Sequence, residues 1–93
     1  MGMETAAAFT DLEESNVSQS CLVLALDGSS MQLKLPSQVP VGRPVKIEAD
    51  DTLSLGEVSY CRPTEDGYIV WVEVMEALHN VGELSRLARA LLG

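Results

Sequence analysis

Residues Arg43 to Met75 read RPVKIEADDTLSLGEVSYCRPTEDGYIVWVEVM, and this stretch decides the fold. It predicts three consecutive antiparallel strands joined by two tight acidic turns. Val45, Ile47, Val58, Val70, Val72 and Val74 supply β-branched side chains, and Tyr60 and Tyr68 supply aromatics, the types that pleated surfaces favour. Asp50-Asp51 and Glu65-Asp66-Gly67 supply the reversals, with Gly67 free to take a positive φ. Val45, Ile47 and Ala49 point one way, and Lys46, Glu48 and Asp50 the other. Leu53 and Leu55 share a face, but Val58 and Tyr60 have the opposite parity. A bulge at Gly56 would restore one inward face for all four. Pro63 is expected to end this strand, because it has no N–H to donate.

Working outward, Cys21 to Leu26 is a continuous apolar run that fits a strand covered on both faces. Asp27-Gly28-Ser29 reads as a turn, and Met31, Leu33 and Leu35 alternate with Gln32 and Lys34 as in a half-buried strand. The segment PSQVPVG, Pro36 to Gly42, cannot continue a ladder and reads as a loop. Beyond Met75, Asn80 followed by Glu83 forms a capping-box-like pair. Leu84, Leu87, Ala88, Leu91 and Leu92 then make one apolar stripe, with Arg86 and Arg89 suiting a helix C-terminus. A helix is therefore expected over about 80–92.

Residues 1–19 differ from the rest. Glu4, Asp11, Glu13 and Glu14 stand there without a single Lys or Arg. Thr5 to Glu14 offers at most a weak helix with Phe9 and Leu12 one turn apart, so an acidic flexible leader is expected. Residues 20–93 are then the folded domain. The fold class expected is all-β with one C-terminal helix: a small antiparallel β-barrel of five to six strands, the helix covering an open end or a flank.

Composition narrows the function. The chain has 93 residues and a hydrophobic fraction of 46%, enough for one small globular domain. Aromatics are 4%, so the core must be aliphatic. Fourteen acidic against six basic residues give a net charge of −8. Nucleic acid and anionic membranes want a basic surface, so the charge argues against both and toward a basic protein partner. No apolar run approaches the ~20 residues that span a bilayer. No basic segment precedes an apolar run at the N-terminus, so a cytoplasmic protein with two buried, unpaired thiols, Cys21 and Cys61, is expected. No Cys/His spacing points to a metal. Asp50 and Asp51 at a hairpin tip lack the pocket that acid–base chemistry needs, and the sole histidine, His79, has no nucleophile beside it. No enzyme is expected, and no cofactor.

The order of a D-x-S turn, an alternating strand, a Pro…Pro-Val-Gly loop, then V-x-I-E, L-x-G-E-V-x-Y-C-R-P, D-G-Y and V-x-V resembles the PilZ domain. The resemblance covers roughly Cys21 to Glu76. It implies a six-stranded barrel with a C-terminal helix, of a kind that in many members binds cyclic di-GMP. The family's ligand site joins an R-x-x-x-R segment to a D/N-x-S-x-x-G turn. Asp27 and Ser29 match the turn, but the family glycine falls on Gln32, and residues 1–42 contain no arginine. Losing two guanidinium anchors costs several kcal/mol, at ~1.5–3 kcal/mol per hydrogen bond to a charged group. Trp71 stands where the family often has a small residue.

Three readings follow. The leading one is a bacterial PilZ-type regulatory or adaptor domain with degenerate nucleotide binding. It would act through protein contacts at the Ile69/Trp71 sheet face or at Leu84, Leu87 and Leu91 of the helix. The second is a cyclic di-GMP receptor in which Asp27 and Ser29 act with the substitute cations Arg43 and Arg62. The third is a self-associating module, a homodimer paired through the helix.

Overall fold

The computed structural model describes residues 4–14 and 18–79. They form six strands: β1 (Thr5–Asp11), β2 (Ser18–Asp27), β3 (Ser30–Leu35), β4 (Pro44–Ala49), β5 (Thr52–Thr64) and β6 (Gly67–His79). Every pairing is antiparallel, and the order β1-β2-β3-β6-β5-β4 closes into a barrel where β1 meets β4. Closure removes the sheet edges that a meander would expose. The helix expected from Asn80, with Leu84, Leu87 and Leu91, lies outside the described residues, as does any dimer built on it.

The first correction concerns the leader. Thr5–Asp11, expected to be flexible, is the strand that closes the barrel, pairing Phe9 with Gln19 of β2 and with Ile47 of β4. Phe9, the one phenylalanine, is 1% exposed and among the largest fully buried side chains. Alanines are poor strand formers, and the run Ala6-Ala7-Ala8 hides the alternation that Ala7 and Phe9 carry toward the core.

The core is the inward face of all six strands. Met31, Leu33 and Leu35 of β3, Val45 and Ile47 of β4, and Val70 and Val72 of β6 alternate inward as their pattern predicts. Val39 from the Pro36 to Gly42 loop joins them. The run in β2 departs from expectation. Only Cys21 is buried, and Leu26 is 63% exposed. An extra residue, Leu24, sits between the pairs Val23↔Leu33 and Ala25↔Gln32.

Two bulges shape the long β5–β6 hairpin. Leu55 pairs with Glu76 and Gly56 with Val74, so the extra residue at the Gly56 irregularity is Met75 on β6. Ser54, Gly56 and Val58 face inward, and Leu53 and Leu55 do not, the reverse of the expected parity. Gly56 is required here because a Cβ would overlap the Glu73 carbonyl. The second bulge was not foreseen. Val58 pairs with Val72 and Tyr60 with Trp71, leaving Ser59 as the extra residue, its hydroxyl donating to the Trp71 carbonyl at 3.1 Å. This turns Tyr60 outward, to 53% exposure. Nor does Pro63 end β5: it pairs with Tyr68, and the strand runs on to Thr64.

Both arms of this hairpin are 13 residues long and outrun their neighbours. β3 pairs with β6 only over Tyr68 to Glu73, so at the end where β6 finishes its last residues pair with β5 alone. That end, bounded by Thr5, Ala49 and His79, is called the His79 end below; the opposite one is the Asp11 end.

Candidate functional site

The four residues expected to hold a nucleotide do not converge. Asp27 and Ser29 flank Gly28 in the β2–β3 turn at the His79 end. Ser29 Oγ donates to the Glu73 carboxylate at 2.6 Å, so the turn faces a second negative charge beside Asp27. Arg43 sits at the Asp11 end, its guanidinium 2.9 Å from Asp11 Oδ2 and 3.9 Å from Glu14 Oε1. Both partners in the closer pair are largely covered, which fixes the arginine as a clasp between the end of β1 and the start of β4. Arg62 lies on the outer face of β5, paired with Ile69. A phosphate at Ser29 would therefore meet carboxylates, with both arginines committed elsewhere.

What the fold does assemble is an aromatic patch on the outside of β3, β6 and β5. Trp71 is flanked in register by Gln32 and Tyr60. The Tyr60 and Trp71 rings are 5.2 Å apart at an interplanar angle of 49°, a tilted pairing that ring quadrupoles favour. Arg62 Cζ lies 5.7 Å from the Trp71 ring centroid, within cation–π range. The row on one side of Trp71 holds Lys34, Ile69 and Arg62; the row on the other holds Ser30, Glu73 and Glu57. The aromatic pair thus sits between a cationic row and an anionic one. Ile69, expected to present itself beside Trp71, is 8% exposed in its place between Lys34 and Arg62, so it offers no free surface to a partner. Tyr60 was missed by the sequence reading, because its outward turn depends on the unpredicted Ser59 bulge.

Lys34 is held away from Trp71 by Asp66 in the β5–β6 turn, Nζ to Oδ2 at 2.7 Å. Hydrogen bonding to that ammonium lowers the Asp66 carboxyl below its ordinary value and raises Lys34. Arg62 is then the cation of that row left facing the aromatic pair.

A second feature is a cavity of about 530 Å³ at the His79 end, reached by Val23, Met31, Ile47 and Val74 from within and by Leu26 and Met75 at the rim. Sequence reasoning could not find it, since it arises from closure. The two cysteines are free, Cys21 buried and Cys61 half-buried, on strands that are not neighbours. Burial pushes the Cys21 thiol up to about 11. Among the described residues no cluster of His, Cys, Asp and Glu could hold a metal ion, and no helix is long and apolar enough to cross a membrane.

Compared with known proteins, the chain matches no family model, no curated protein and no solved structure.

Proposed function

We propose that this chain is a bacterial, cytoplasmic adaptor of the PilZ type, its cyclic di-GMP cradle degenerate, that acts by protein contact through the Tyr60–Trp71–Arg62 patch. The observation that carries this reading is the patch itself. Trp, Tyr and Arg are the residue types that dominate binding hot spots, and here Tyr60 and Arg62 gather about Trp71 on an outer barrel face instead of filling the core. The closed six-stranded barrel agrees with the PilZ resemblance. The Ser29–Glu73 and Arg43–Asp11 pairings speak for a lost nucleotide site over a working one.

The partner would offer an apolar side chain to the aromatic pair and a cation to Glu57 and Glu73, which lie directly opposite each other across the hairpin. That agrees with a net charge of −8, which draws basic surfaces at long range. A photo-crosslinking residue placed at Gln32, beside Trp71, tests this in the producing cell. A discrete crosslinked protein is expected, and it should disappear when Tyr60→Ser is added. Capture unaffected by Tyr60→Ser, or capture only of a second copy of this chain, would overturn the reading.

A further inference from the structure

Ile69, Trp71 and Glu73, at alternate positions of β6, head three rows across the outer barrel face. The first row ends on β5 in the cation Arg62, the second in Tyr60 and the third in Glu57. Residues two apart on a strand lie about 6.7 Å apart, so the face passes from cationic through aromatic to anionic over about 13 Å. The backbone beneath is committed on both sides, since β6 pairs with β3 and with β5 from Tyr68 to Glu73.

We infer, on the footing of the contact proposed at Trp71, that the partner presents there an α-helix lying along β6. It carries an acidic, an apolar and a basic residue at successive four-residue intervals, in that order.

Backbone chemistry selects the helix. An extended segment laid on this face would find no N–H or C=O on β6 to pair with, and would leave its own polar groups unpaired under the contact. A helix arrives with its backbone bonds made, and helices are what sheets accept on their faces. Helix residues four apart share a side and rise about 6 Å, close to the spacing of the rows.

Charge selects the order and the direction. An arginine held against a ring still offers its in-plane N–H fork to a carboxylate, so Arg62 takes the acidic residue. The apolar residue sits on Trp71 and Tyr60. The basic residue falls between Glu57 and Glu73, which face each other across the hairpin. Like charges so placed destabilise a sheet, and a cation seated between them offsets that cost. An acidic residue early and a basic one late also suit the dipole of the helix itself, so it runs parallel to β6.

The occupant is a different protein. None of the six basic residues of this chain has an acidic residue eight positions before it, so a second copy does not supply the pattern.

Photo-crosslinking in the producing cell, on the full chain, reads this geometry. On β3, Gln32 stands beside Trp71 and Ser30 beside Glu73. A photo-reactive residue is placed at each in turn, and its attachment point on the captured protein is located by mass spectrometry. The residue caught from Gln32 is expected three or four positions before the one caught from Ser30, with a Lys or Arg next to the latter. Arg62→Glu should lower the yield from Gln32 more than Arg62→Gln does. Attachment points two apart, or in the reverse order, would overturn the helix or its direction and leave the proposed contact standing, and so would a yield indifferent to Arg62→Glu. Capture of a second copy of this chain, or no capture from either position, would remove both. Should Arg62→Glu fail to fold, the attachment points on the chain with Arg62 intact decide alone.

Discussion

Tyr60 and Trp71 face each other across β5 and β6 with ring centroids 5.2 Å apart, because Ser59 enters the strand as one residue too many. Without that bulge Tyr60 would keep the parity of Val58 and point into the core. The aromatic patch is therefore a product of register, and its energetics can be separated from those of the barrel. A double-mutant cycle with Tyr60→Ala and Trp71→Ala should give a coupling of about 0.5–1.5 kcal/mol in urea unfolding. Arg62→Ala should cost at most about 1 kcal/mol. A much larger loss would make the patch a structural keystone and remove the reason to read it as a contact surface.

The N-terminal strand gives a sharper result. Phe9→Ala should destabilise the domain by about 3–5 kcal/mol. That is a large share of the ~5–15 kcal/mol available to a domain of ordinary stability. Chemical denaturation followed by Trp71 fluorescence reads this directly. An unchanged midpoint would return residues 5–11 to the status of a leader.

At Gly56 the limit is steric. The added methyl of Gly56→Ala would meet the Glu73 carbonyl, which is backbone and cannot rotate away. A loss of about 1–3 kcal/mol is expected from such overpacking. Gly28→Ala has open space around its Cβ and only a positive φ of 61° against it, so it should cost less. Equal midpoints for the two variants would contradict the bulge geometry.

Cys21 sets a pH dependence. Its thiol ionises at about 11 in the folded barrel, against an ordinary value of 9.0, because burial disfavours the thiolate. Below pH 9 both folded and unfolded chains keep the proton, and this contribution is fully present. Between about 9 and 11 the unfolded chain loses the proton first, so stability falls as pH rises through that window. Cys21→Ala should flatten the decline measured by thermal unfolding. At pH 8, iodoacetamide should modify the half-buried Cys61 before the buried Cys21.

Much of this architecture is legible in the residues, and the exceptions have physical causes. The alternation Met31-Leu33-Leu35 and Val45-Ile47 states an inward face outright, since period two has no other reading. The parity conflict between Leu53 and Leu55 on one side and Val58 and Tyr60 on the other points to a bulge at Gly56, but β5 keeps its alternation through Gly56: the extra residue there is Met75 on β6, and the break in β5 itself comes at Ser59. β1 was hidden because its alanines are small and poor strand formers, and the strand is held by Phe9 and by pairing on both sides. Arg43 could be nominated as a phosphate anchor only while Asp11 was thought to be mobile. Once β1 is ordered, Asp11 claims it.

The proposed function holds that a PilZ-type barrel has kept its shape while its nucleotide cradle has lost the clamp. Calorimetric titration of the full chain with cyclic di-GMP tests it most directly. No saturable heat at micromolar ligand is expected, since Ser29 is turned to Glu73 and Arg43 to Asp11. Micromolar or tighter binding, abolished by Asp27→Ala or by Arg43→Ala, would contradict it.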